Sequence, residues 1–202
     1  MFEDEIPHTK IKESQSIAVE QGFGPIQKVN RTPPDLTFLG EKLREDWVSN
    51  FLSGKFQEKT RPWLKARMPS FPVRSNLLAK GFSRSYGVEP LRLNKLLNRD
   101  VNELNKAGGT VVNTLCITCH AVGDRQPTAV FEGQGVNLVT SRKRMLEQHY
   151  MRWMLNPYRI NQSTIMPKFA DDEGRTGLIN VFGGDAHHQF EAVWQYLRAM
   201  SK

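Results

Sequence analysis

Cys116-Ile117-Thr118-Cys119-His120 is the stretch that decides how this chain reads. It holds both cysteines of the 202-residue sequence, with a histidine directly after the second. Two thiols at this spacing reach the two vinyl groups of one haem and form thioethers, and the adjacent histidine then faces the iron as proximal ligand. Two other chemistries use paired cysteines. A thioredoxin-like redox pair wants βαβ flanks, which are missing here, and has no use for the histidine. A structural zinc site wants two further Cys or His ligands at a second paired spacing. His187 and His188 form the adjacent histidine pair of the chain, and two neighbours on one segment do not easily point at the same ion. The motif therefore predicts one covalent haem c on Cys116, Cys119 and His120.

Working outward, the chain is long enough for one large domain or two small ones, and 39% hydrophobic residues suffice for a packed core. No apolar run approaches the roughly 18 residues of a membrane span. The start, Met1-Phe2-Glu3-Asp4-Glu5, is acidic rather than a basic stretch followed by an apolar one. Haem attachment of this kind takes place outside the cytoplasm in most organisms, so the expected location is extracytoplasmic, periplasmic or on the outer membrane surface. The expectation is then that a leader or upstream region has been removed. The net charge of +7 is spread along the chain without a block of like charges. That pattern argues against a nucleic-acid arm and suits either simple solubility or steering toward an acidic redox partner or an anionic membrane surface.

Residues 1–32 are polar and aperiodic and read as an arm. Pro33-Pro34-Asp35 marks a turn and a helix start. Leu39, Leu43, Trp47 and Phe51 recur every fourth residue and predict one helix ending at Gly54. A further helix is expected over Asn76 to Ser85, with Leu77, Leu78 and Phe82 facing inward. Tyr86-Gly87-Val88-Glu89-Pro90 reads as a boundary, giving a first unit over 33–90 and a second over 91–202. The second opens with a helix over about Leu91 to Asn113, its stripe formed by Leu93, Leu96, Leu97, Val101 and Leu104. Gly108 and Gly109 either end an early segment or allow close helix packing. A helix bearing Met145, Leu146, Tyr150, Trp153 and Met154 stops at Asn156-Pro157. A terminal helix buries Phe190, Val193, Trp194 and Leu197. The expected fold class is all-α.

The two units echo each other. Pro34-Asp35-Leu36 matches Val136-Asn137-Leu138, the segment 47–52 matches 150–155, and Arg67-Met68-Pro69-Ser70-Phe71 matches Ile165-Met166-Pro167-Lys168-Phe169. The first copy has no Cys-x-x-Cys-His, so it cannot attach haem through thioethers. Met68 reads as a core residue left from a haem-binding ancestor. Non-covalent haem ligation by His8 and Met68 is the lesser reading.

On these residues the second unit, over about 95–202, resembles a class I cytochrome c. The resemblance rests on Cys116, Cys119 and His120, on Gly135-Val136-Asn137-Leu138 in place of the family's Gly-Pro-Asn-Leu, on Met166-Pro167, and on the aromatic final helix. The order of units also resembles tandem cytochrome c-domain proteins, here with a degenerate, haem-free first repeat. The resemblance implies a cytochrome c-like helical domain whose first and last helices cross, with Gly108 admitting Trp194 or Leu197. In the family a proline carbonyl accepts the proximal histidine's ring N–H, and at Val136 a backbone carbonyl is also available. Met166, placed in a loop by the following proline, is the expected sixth ligand, since a thioether favours ferrous iron. His149 or a water is the alternative. His149 otherwise reads as a surface or second-shell residue, and His187 and His188 as capping or solvent residues. Tyr150 and Trp153 either touch the haem or pack in the core. Arg142, Lys143 and Arg144, the densest basic cluster, either pair with propionates or a partner or form a solvated face.

Iron bound by both His120 and Met166 has no open position. The expectation is therefore a monohaem electron carrier, not an enzyme, with no small-molecule substrate. Its partners would be redox proteins, with the chain a subunit or module of a larger respiratory or redox complex. A peroxidase-like haem enzyme with an open distal site is the alternative. No triad, phosphate loop or paired carboxylates point elsewhere.

Overall fold

The computed structural model describes residues 36, 38–56, 69–85, 100–129, 133 and 135–201. The described residues from 38 onward lie in the compact unit Thr37–Lys202. They are helical, with isolated bridges and no strand among them. The expected arm over 1–32, the boundary at 86–90, Met68 and His8 fall outside the described residues.

The core is built on two crossing helices, α4 (Val101–Val111) and α8 (Ala186–Met200), named here in a chain order that begins with α1 (Leu39–Lys42), α2 (Glu45–Leu52) and α3 (Ser75–Ser85). Asp100 caps α4 by accepting from the Asn102 N–H, and Asp185 caps α8 by accepting from the His188 N–H at 2.9 Å. Helix α8 buries Phe190, Val193, Trp194 and Leu197, as its periodicity predicts. Helix α4 answers with Leu104, Gly108, Gly109 and Val111. Val101, expected in the stripe, is 61% exposed, because the helix begins there and its first turn lies beyond the crossing.

The two glycines serve close packing rather than a helix end. A Cβ on Gly108 would run into the Ala192 carbonyl and sit 2.8 Å from Tyr196 Cβ, and one on Gly109 would sit 3.2 Å from Tyr196 Cε2. The residues that meet Gly108 are thus Ala192 and Tyr196, two and one positions before the expected Trp194 or Leu197. Trp194 instead turns inward and stacks on Tyr150 at 4.6 Å.

Between α4 and α8 the chain forms α5 (Leu138–Arg144), α6 (Glu147–Leu155) and α7 (Pro157–Ile160). Asn156 ends α6, and its side chain caps α7 ahead of Pro157 at the first helical position. The charged insert after Phe169 is anchored from below. Gln189, fully buried on α8, donates to the carbonyls of Leu178 and Val181 and accepts from the Thr176 hydroxyl at 2.7 Å.

The segment from Leu39 to Ser85 departs from its periodicity where it is described. The single helix expected over Leu39 to Phe51 is two helices, broken at Leu43 and Arg44. Leu43 is extended (φ −112°, ψ 144°) and bridges antiparallel to Met145, itself extended (φ −88°, ψ 151°) between α5 and α6. The Arg44 N–H donates to the Arg144 carbonyl at 2.8 Å, and the Leu146 N–H donates to the Lys42 carbonyl at 2.9 Å. The segments α1–α2 and α5–α6 thus have one form, and their kinks exchange reciprocal bonds. These two backbone bonds are what the unbroken helix would forgo. In α3 the inward positions are Ser75, Ala79 and Phe82, which pack toward Val48 and Leu52. Leu77 and Leu78, expected inside, are 74% and 39% exposed, since Leu77 lies on the side of the helix opposite Ala79 and Leu78 on its flank.

The crossing has a direct test. Gly108→Ala forces α4 and α8 apart, and the expected loss is about 1–3 kcal/mol, as for other overpacked cores. Urea unfolding followed by helical circular dichroism reads it, and an unchanged midpoint would place the two helices further apart than described.

Candidate functional site

The Cys-x-x-Cys-His stretch is delivered by a change of helix pitch. Helix α4 runs into a π-helical turn, Val112–Cys116, in which the Ile117 N–H reaches back to the Val112 carbonyl at 2.9 Å. A tighter turn follows, with the Cys119 and His120 N–H groups both donating to the Cys116 carbonyl at 3.3 and 3.0 Å. Cys116 is buried in the main core, while Cys119 and His120 are partly exposed at its edge. Both thiols are free. Burial pushes the Cys116 thiol up to about 12, so it is protonated at neutral pH. A dithiol redox pair works through a depressed thiolate, the opposite condition.

His120 is held on one side. Its Nδ1 lies 2.8 Å from the Val136 carbonyl, so Nδ1 carries the proton and donates, and Nε2 keeps its lone pair for a ligand. The valine in place of proline leaves this bond intact, because a main-chain oxygen is the acceptor. Gly135 makes room for it: a Cβ there would overlap the His120 ring atoms Nδ1 and Cε1. The loop is fixed around this pair by Gly135 N–H to Cys119 carbonyl and Leu138 N–H to Ala121 carbonyl, each 2.9 Å. Asn137 completes it, donating to the Gly123 carbonyl at 2.7 Å and accepting from the N–H groups of Gly123 and Val139.

Met166 lies in the loop after α7 and meets Trp153 of α6. The Trp153 Nε1–H donates to Met166 Sδ at 2.9 Å, and the Met166 N–H donates to Thr164 Oγ1. Met166 and Trp153 pack against the same core cluster that holds Cys116 and Tyr150. Sulfur has two lone pairs; the indole takes one, leaving the other for a second acceptor role. Tyr150 is tied to α8. Its hydroxyl donates to the Phe190 carbonyl at 2.8 Å and its ring stacks on Trp194, so its work is to join α6 to α8.

His149 is not a surface residue. It is fully buried, with its ring stacked on Trp153 at 6.4 Å. Neither ring nitrogen has a hydrogen-bond partner, although Nδ1 comes within 3.5 Å of Glu41 Oε1. Glu41 also takes Arg152, and Lys42 Nζ stands 5.8 Å over the Trp153 ring. Helix α1 therefore touches the helix that carries the partner of Met166. Sequence reading missed Glu41 and Lys42, since nothing in their local pattern announces a contact more than a hundred positions away. It quoted Gly135 and Asn137 inside a motif without assigning them work. Among the described residues no three His, Cys, Asp or Glu side chains gather as a metal cluster, and no helix is long and apolar enough to cross a membrane. His187 is exposed, and His188 Nδ1 stays 3.2 Å from Asp185.

Comparison of the chain with protein-family models, curated proteins and solved structures finds no match.

Burial drives the His149 imidazole down to about 4, with Lys42 and Arg152 adding to the effect and Glu41 opposing it. The unfolded chain takes up this proton near pH 6.5, the folded chain only near pH 4. Stability is therefore unaffected by this group above about pH 6.5 and falls as the pH drops toward 4, by on the order of 2–3 kcal/mol. Urea unfolding at about pH 7 and about pH 5 checks this, and His149→Leu should remove most of the difference.

Proposed function

We propose that this chain is a monohaem c-type cytochrome of class I character, carrying single electrons between redox proteins. The observation that carries the reading is the 2.8 Å contact of His120 Nδ1 with the Val136 carbonyl. A histidine directly after two free thiols at Cys-x-x-Cys spacing donates Nδ1–H to the Val136 carbonyl and leaves Nε2 open. That is the preparation an axial ligand needs. Haem c bound through Cys116 and Cys119 would supply one-electron iron chemistry, with His120 and Met166 as the two axial ligands. The residues fit this group: one oriented imidazole, one thioether, two unpaired thiols, and a glycine at 135 where any side chain would displace the imidazole.

The chain's own residues would then do three things. His120 is kept in one ring orientation by Val136, with Gly135 beneath it. Met166 is kept in place by Trp153, whose N–H draws density from the sulfur and makes it a weaker donor. The buried shell of Val111, Val112, Phe190 and Val193 keeps water from that side of the site.

The matching kinks of α1–α2 and α5–α6, with their reciprocal bonds, support the reading of 33–90 as a degenerate copy of the haem-bearing unit. Its contact through Lys42 with Trp153 gives that copy a role as a brace on the Met166 side. A net charge of +7 suits an acidic redox partner within an extracytoplasmic respiratory or redox complex.

The test is expression with haem-attachment machinery. The intact chain should gain the mass of one haem, and Cys116→Ala with Cys119→Ala should gain none. Met166→His should lower the reduction potential by on the order of 0.1 V or more, since bis-histidine iron is easier to oxidise. A chain that takes up no haem sinks the reading, and an unchanged potential removes Met166 from the ligand set.

A further inference from the structure

A second concave surface lies away from Cys116, His120, Val136, Trp153 and Met166, none of which lines it. It is a groove of about 480 Å³ between α2, the end of α5 and the end of α8. One wall is aromatic. Trp47 stacks on Phe51 at 5.0 Å and on Phe56 at 5.5 Å, and Phe56 is 42% exposed. The facing walls carry Arg142, Lys143 and Arg198.

The charges in this groove do not balance. The single carboxylate among its described lining residues, Asp46, is taken by Arg44 in a two-pronged pair at 3.1 and 2.8 Å. No described carboxylate makes an ion pair with Arg142, Lys143 or Arg198. Arg142 is held rather than free. Its guanidinium lies 4.0 Å over the Trp194 ring, and its Nε is buried without a hydrogen-bond partner. Its pKa is lowered first by burial; Glu147 opposes that effect, and Arg198 and Arg44 add to it. Three cations gathered on one concave surface repel one another, and a shared anion with several acceptor oxygens relieves that repulsion. Guanidinium forks match the oxygens of a phosphate, and an aromatic wall offers a face to the apolar or planar remainder of a larger molecule.

We propose that this groove binds a phosphate ester, the phosphate held by Arg142, Lys143 and Arg198 and the organic body laid against Trp47 and Phe56. The groove contains none of the residues that would form the thioethers or ligate the iron, so its test does not depend on haem attachment. The phosphate could belong to a soluble nucleotide-like molecule or to a lipid headgroup, and the chemistry recognised is the same.

The experiment uses the full chain in three arms: calorimetric titration with inorganic phosphate, the same with adenosine monophosphate, and co-sedimentation with phosphatidylglycerol vesicles against phosphatidylcholine vesicles. Each is repeated with the double variant Lys143→Gln/Arg198→Gln, whose side chains are exposed and whose loss leaves the core intact. A control double variant, Lys80→Gln/Lys106→Gln, removes the same charge from exposed positions elsewhere. The expected result is saturable binding of adenosine monophosphate or of the anionic vesicles, tighter than that of inorganic phosphate. It should weaken at least tenfold in the groove variant and less than twofold in the control. Which of the two organic arms responds identifies the source of the phosphate. Absence of saturable binding in both overturns the proposal, as does an equal loss in the two double variants, which would reduce it to diffuse charge.

Discussion

Everything in the described fold depends on how closely α4 can approach α8. The Cα hydrogens of Gly108 are all that separates α4 from the Ala192 carbonyl. That contact sets the depth at which Val111, Val112, Phe190 and Val193 lose all but a trace of their exposure. It also aims the end of α4, because the π-helical turn and the cysteines follow directly from it. A helix pair held further apart would move Cys116 out of the core. The Cys-x-x-Cys-His motif is thus positioned by a packing contact two turns upstream, not by anything within the motif.

Elements whose pattern is local were legible in the sequence. The last helix shows its buried face at the expected spacing, and Asn156-Pro157 stops α6 where the residue preceding a proline resists helix. What the sequence could not disclose was set by distant partners. The four-residue recurrence of Leu39, Leu43, Trp47 and Phe51 is genuine, yet the helix breaks in its middle, because the backbone at Arg44 gains a partner at Arg144. Periodicity reports the side chains and is blind to such a bond. Leu77 and Leu78 show the converse: apolar residues on a helix need not face the core when small ones, Ser75 and Ala79, fit the tighter side.

The candidate site divides along the same line. Cys116, Cys119, His120 and Val136 were readable because the motif is short and its chemistry demands that spacing. The hydrogen bond from Trp153 to Met166 was not, since each residue had a plain packing role available. His149 reads from the sequence as a surface or second-shell residue, and its burial beside Trp153 rules out only the first. One histidine amid charged neighbours gives no sign of burial, and its surroundings are completed by Glu41 and Lys42 from far up the chain. In the proposed reading this makes the Met166 side of the iron a composite, assembled from both units, while the His120 side is local.

The reciprocal bonds at Leu43 and Met145 have a consequence for the substitutions the two kinked segments tolerate. Both bonds run between main-chain atoms, and every residue except proline carries those atoms. A joint of this kind does not record which side chains surround it. Substitutions could accumulate on either half without unfastening the other, provided neither kink acquires a proline at the donor positions Arg44 and Leu146. Either segment can thereby change in composition and chemistry while its seat against the other stays the same. The joint works as a fitting with a standard thread, indifferent to what each part carries.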